Sequence, residues 1–197
     1  MPRSHHIPSI LGIILIGLAL SVPNQCAGDE IPPPEKQLAK FKLPPGFEIQ
    51  LVAADPDIGQ PMNLNFDARG RLWVTSRLEY PYPAAGEGVQ DRPDRFGKPS
   101  KHAPRDRITI LADIGNDGRA KSVTQFARSL NIPIGITPIG GGSAAIAYSI
   151  QAIYTFRDSD DDGKSNRQTQ LYARFGNVDT HGMASSFTRW IDGWIYG

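Results

Sequence analysis

Two turn-bearing stretches of this chain recur at a fixed distance. Ile110-Leu111-Ala112-Asp113-Ile114-Gly115-Asn116-Asp117-Gly118 is repeated as Thr155-Phe156-Arg157-Asp158-Ser159-Asp160-Asp161-Asp162-Gly163, with an offset of 45 residues at both ends. A second pair, Pro133-Ile134-Gly135-Ile136 and Thr180-His181-Gly182-Met183, repeats at an offset of 47. Short alternating or apolar runs fill the spaces between turns. One unit holds expected strands near 62–66, 72–75, 108–111 and 123–127, and the next near 134–137, 144–148, 152–156 and 168–173. A third unit starts at Gly182 and reaches only its second strand, after the Asp192-Gly193 turn. A period in the forties with four strands per unit is the pattern of a β-propeller blade. The expectation is an all-β fold: an incomplete, N-terminal portion of a β-propeller, about two and a half four-stranded blades long. A small open sandwich is the structural alternative.

The strands are separated by turn chemistry. Asp67-Ala68-Arg69-Gly70 joins the first two strands as a hairpin turn, and Asp113–Gly118 joins the third and fourth. Gly140-Gly141-Gly142 lies between two strands, not before a helix, so it is no dinucleotide loop. A further strand is expected at 48–53, from Glu48-Ile49-Gln50-Leu51-Val52-Ala53. No amphipathic helix is expected after residue 46, because Gly, Pro and β-branched residues oppose one. Residues 79–104 interrupt the period with five prolines and balanced charge. A loop of that length is functional or disordered. Its aromatic start, Arg77-Leu78-Glu79-Tyr80, is a candidate pocket lining, whereas its middle reads as solvated loop.

The N-terminus reads as an export signal. An apolar run of 13 residues, 10–22, follows a weakly basic start and precedes the small residues Cys26, Ala27 and Gly28. It is shorter than the about 20 residues of a spanning helix and fits a signal peptide over 1–28, with an uncleaved anchor as the alternative. The proline-rich stretch 29–45 is expected to be an extended linker, and 46–197 the propeller portion. Cys26 is the only cysteine, so a mature chain has no disulfide or thiol chemistry. Lys and Arg number 21 against 20 Asp and Glu, a balance that argues against a nucleic-acid partner. Membrane association is expected only through the N-terminal segment.

Two constellations carry candidate chemistry. His181 precedes an expected inner strand, where loops of a propeller gather at one mouth of its channel. Histidine titrates near neutrality and can take a proton from a substrate hydroxyl. Asp179, two residues earlier, is placed to orient it; the alternative is a histidine that bonds loop backbone. The second is Asp158, Asp160 and Asp162 with Gly163, which match the first half of a calcium loop. Thr169 stands where an EF-hand has Glu, so calcium would sit in a different kind of turn. Capping of backbone N–H groups by the same carboxylates is the alternative. The sister turn, with Asp113, Gly115 and Asp117, has one carboxylate fewer. There is no Cys-x-x-Cys-His haem motif, no His-Glu-x-x-His and no Walker loop.

Several segments together resemble a known family. Phe47-Glu48-Ile49, Leu51-Val52-Ala53, Arg71-Leu72-Trp73-Val74, Glu79-Tyr80-Pro81-Tyr82-Pro83, Asn131-Ile132-Pro133-Ile134-Gly135 and Asp179–Phe187 are similar to the N-terminal region of bacterial membrane-bound dehydrogenase domain proteins. The likeness covers roughly residues 40–197. It implies a propeller of the six-bladed type, similar to pyrroloquinoline-quinone glucose and sorbosone dehydrogenases. It also implies an exported, periplasmic or membrane-associated protein that oxidises a sugar or alcohol, passes electrons to a cytochrome acceptor, and carries haem c only in a later region. By that resemblance His181 is the catalytic base, with Asp179 beside it and Arg77, Glu79 and Tyr80 on the ligand side. The quinone-contacting Lys and Arg of the relatives belong to later blades, so this chain alone is expected to be inactive. The competing reading is a non-catalytic propeller module that binds carbohydrate or a partner protein.

Overall fold

A computed structural model describes residues 31–85, 102–173, 175–177 and 179–197. The expected signal peptide, with Cys26, and most of the interrupting loop lie outside the described residues. Among the described residues no helix is long and apolar enough to cross a membrane.

Among the described residues, the chain from Pro33 to Gly197 is all-β apart from one short α-helix, α1 (Pro34–Leu38), and a 3-10 turn at Gly140–Gly142. Four strands follow, β1 (Gln60–Phe66), β2 (Leu72–Arg77), β3 (Asp106–Ile114) and β4 (Ala120–Leu130). They form one antiparallel sheet in the order β1-β2-β3-β4. The next four, β5 (Ile134–Ile139), β6 (Ala144–Ser149), β7 (Ala152–Arg157) and β8 (Arg167–Ala173), form a second antiparallel sheet in chain order. Two short strands, β9 (Thr188–Arg189) and β10 (Ile195–Tyr196), close a small hairpin. All eight strands expected in the two repeat units are present, most of them longer by one to three residues at an end.

The two sheets share one apolar layer. Register puts Trp73 and Ile110 on one face of the first sheet, and Ile136, Ala147, Ala145 and Phe156 on one face of the second. These residues form a single core with Ile108, Phe126 and Leu130. Trp73 is fully buried and meets Phe126 edge-on, with ring centroids 4.5 Å apart. Ala145 and Ala147 oppose it, so small side chains on one sheet receive large ones from the other, as close packing requires.

The β1–β2 turn is tied into this layer. Asp67 accepts hydrogen bonds from Trp73 Nε1 at 2.9 Å and Arg71 Nε at 2.7 Å. Arg71 also donates to the Gly142 carbonyl at 2.6 Å, joining the turn to the second sheet. Burial pushes the Asp67 carboxyl up, but the donors from Trp73, Arg71 and Arg69 outweigh it and hold it below its ordinary value.

Three expectations are corrected. Residues 48–53 form no strand: only Val52 bonds its neighbour, its carbonyl accepting from Ala120 N–H at 3.0 Å. Val52 and Ala53 instead pack on Leu72, Val74 and Leu111 by side-chain burial. The strand expected from Gly182 is delayed to Thr188, because Ser186 adopts a φ of 59° and breaks the extended run, while Phe187 turns into the second core. The linker contains one helical turn, where Pro34 occupies the first turn and Glu35 follows it near the positive helix end.

Candidate functional site

The Asp179–His181 turn is built by one carboxylate. Asp179 Oδ1 accepts from His181 N–H at 3.0 Å and lies 2.6 Å from His181 Nδ1. With Nδ1 donating to the carboxylate, Nε2 carries the lone pair of the neutral ring. The His181 side chain is half exposed. It stands at an open pocket of about 360 Å³ whose polar lining includes Asn63, Arg77, Tyr80 and Ser185. Met62, Ile134 and Met183 supply apolar surface.

Tyr80 and Arg77 reach the same pocket from the first sheet and the segment that follows it. The Tyr80 ring meets His181 edge-on at 5.7 Å, and the Arg77 guanidinium lies over the Tyr80 ring at 4.2 Å. Thr180 Oγ1 donates to the Pro81 carbonyl at 2.9 Å, which ties the histidine turn to the Tyr80 segment across 99 residues of sequence. The structure therefore brings together four of the expected site residues: Arg77, Tyr80, Asp179 and His181.

Glu79 is placed elsewhere. Its buried carboxylate accepts from Arg105 Nε at 3.1 Å and lies 3.5 Å from His102 Nε2. Glu79, Arg105 and His102 are not among the described residues that line the His181 pocket, whereas Tyr80 is.

Two buried residues hold the Tyr80 segment in place. Asp106 accepts from the backbone N–H of Leu78, and from that of Ile132 at 2.8 Å. Burial raises the Asp106 carboxyl above its ordinary value, against the opposing pull of those donors. Asn131 bonds both the N–H and the carbonyl of Ala84 at 3.0 Å, and its own N–H donates to Ser149 Oγ. Neither residue stood out in the sequence. Asn131 heads a motif that pointed to the family resemblance, whereas Asp106 sits in a run of ordinary strand residues.

The three aspartates of the β7–β8 turn also converge. One carboxylate oxygen from each of Asp158, Asp160 and Asp162 lies within 4.8 Å of the others. Hard oxygen donors at that spacing fit a calcium ion. The same groups already serve the turn. Asp158 accepts from Gly163 N–H at 2.8 Å and from Asp160 N–H at 3.3 Å, and Asp162 accepts from Lys164 N–H at 2.8 Å. Desolvation pushes Asp158 up, but these donors hold it below its ordinary value. In the sister turn Asp117 caps Arg119 N–H at 3.1 Å.

The sequence model of a family described as "Domain of unknown function (DUF7133)" matches residues 33–197, and the chain belongs to that family. No curated protein and no solved structure matches it.

Proposed function

We propose that this chain is the N-terminal part of an exported propeller dehydrogenase that oxidises a sugar or alcohol, with His181 as the general base. The observation that carries the reading is the 2.6 Å pair between His181 Nδ1 and Asp179, set at the mouth of a pocket beside Tyr80. That pair orients the ring so that Nε2 is the nitrogen turned from the carboxylate. A substrate hydroxyl would give its proton to Nε2.

The propeller reading rests on the sheet faces. A two-layer sandwich turns polar residues outward. Here Leu64 and Phe66 share the outer face of the first sheet with Leu72, Val74 and Leu111, and are 62% and 58% exposed. On the second sheet Ile153 and Tyr172 are paired on the outer face, where Tyr172 is 67% exposed. Apolar faces at both ends of the stack favour further sheets packed against each. The first strands, β1 and β5, lie side by side: Asn65 Nδ2 donates to the Ile136 carbonyl at 3.0 Å, and Gly135 N–H to Asn63 Oδ1 at 2.8 Å. Neighbouring inner strands are the arrangement that a central channel needs.

A quinone would supply the hydride acceptor. The His181 pocket has Arg77 as its one Lys or Arg among the described lining residues, which does not match a group with several carboxylates. The reading assigns that group to further blades, and no step here runs through it. Calcium at the β7–β8 turn and export by the N-terminal segment belong to the same proposal. Calorimetric titration of the chain with glucose tests the site. Binding that His181→Ala abolishes supports it; binding that is indifferent to His181 favours a carbohydrate-binding module without catalysis.

A further inference from the structure

Among the described residues no carboxylate answers the charge of Arg77: none lies within ion-pair distance of it, and its buried Nε has no hydrogen-bond partner. Two neighbouring acids, Glu79 and Asp106, are engaged elsewhere. Glu79 faces Arg105 and His102, and Asp106 accepts from Leu78 and Ile132. On its far side Arg77 borders a cavity of about 240 Å³ together with Asp55, Asp106, Arg105 and Arg107, where the bases outnumber the acids. Toward His181 no Asp or Glu is among the described residues that line the pocket. The guanidinium lies over the Tyr80 ring, and that ring meets His181 edge-on, so a cation and a proton acceptor stand along one wall.

We propose that the ligand of this pocket carries a carboxylate that pairs with Arg77 while one of its hydroxyls faces His181. Its class is a sugar acid or a related polyhydroxy acid, not a neutral sugar. This rests on the reading of His181 as the group that meets a ligand hydroxyl. A guanidinium without a partner gains a charge-assisted, two-pronged hydrogen bond from a carboxylate, which a neutral hydroxyl cannot equal. The polar neighbours Asn63, Thr180 and Ser185 line the same pocket and suit further hydroxyls.

The test compares D-glucuronate with D-glucose as ligands of the full chain, by ligand-observed NMR titration. The expected result is about tenfold tighter binding of glucuronate, the order a hydrogen bond to a charged group supplies. Arg77→Gln should erase the preference and Arg77→Lys should keep part of it, with thermal melts confirming that each variant folds. If Arg77→Gln does not fold, the wild-type preference is followed with salt instead, and it should shrink as ionic strength rises. Equal binding of the two sugars, or a preference that survives Arg77→Gln, overturns the carboxylate assignment and leaves the His181 reading standing. Binding of neither sugar removes both.

Discussion

The two turns that repeat 45 residues apart share a closing glycine and differ in what surrounds them. Gly118 and Gly163 close them with φ values of 78° and 83°, the left-handed conformation that favours glycine. Around the first, a Cβ on Gly118 would fall 2.4 Å from Gln50 Cβ, because the 48–53 segment lies against the turn. Around the second, a Cβ on Gly163 would meet only Thr124 Cγ2, at 3.4 Å. The sheets differ in the same way. The first presents Trp73 and Phe126 to the shared core, and the second receives them with Ala145 and Ala147. The repeat in sequence therefore places a left-handed glycine at the end of each turn, while the neighbours decide what each copy costs to change.

The largest expected effect is at the asymmetric core. Trp73→Ala should lose about 3–5 kcal/mol in chemical denaturation, as for other buried tryptophans. Ala147→Leu, on the receiving sheet, should lose about 1–3 kcal/mol by overpacking. Comparable losses from both would mean that the two sheets do not divide the core as described.

The repeated turns come next. Gly163→Ala should cost about 1–2 kcal/mol, the strain of a left-handed alanine. Gly118→Ala should cost more, since it adds a collision with Gln50 to that strain. A double variant with Gln50→Gly should recover part of the excess. Equal costs at the two glycines would dissolve the comparison.

Asp67 sets a pH dependence. Its carboxyl is held low in the folded state, so its contribution is present above the unfolded value of about 3.9 and is lost as pH falls through the folded value. Asp67→Asn should cost about 1–2 kcal/mol at neutral pH, and the gap to wild type should narrow in acid. A gap that widens in acid would contradict the hydrogen-bond account. Asp106 runs the other way: its raised value makes the charged form a liability above that value and relieves it in acid.

The smallest expected effect is calcium. By mass action an ion that binds only the folded state raises the melting temperature. Calcium should do so for wild type and not for Asp160→Asn. An equal response in both would leave the three carboxylates as caps of their own turn.

Much of the fold was legible because its signals are local. Eight strands lie between turns marked by Asp, Gly and Asn, and each alternates or runs apolar over the right length. The errors arose where neighbours override local pattern. Residues 48–53 alternate like a strand, yet they meet the sheet through side chains and one backbone bond. Residues 182–187 read as a strand, yet Ser186 turns and Phe187 is drawn into the core beside Ile134 and Tyr148. At the site, the Asp179–His181 pairing was visible because it spans two residues. The meeting of His181 with Tyr80 was not, since Thr180 and Pro81 are joined only by the fold. The pairing of Glu79 with Arg105 and His102, outside this pocket, is likewise made only by the fold.

The central claim is that Asp179 fixes His181 to present Nε2 to a ligand. Long-range proton–nitrogen NMR of the His181 ring tests it most directly, first alone and then with added sugar. The account predicts a neutral ring protonated at Nδ1, with the Nε2 resonance moving as sugar is added and both features lost in Asp179→Asn. A ring protonated at Nε2, or one unchanged by every sugar, would contradict it.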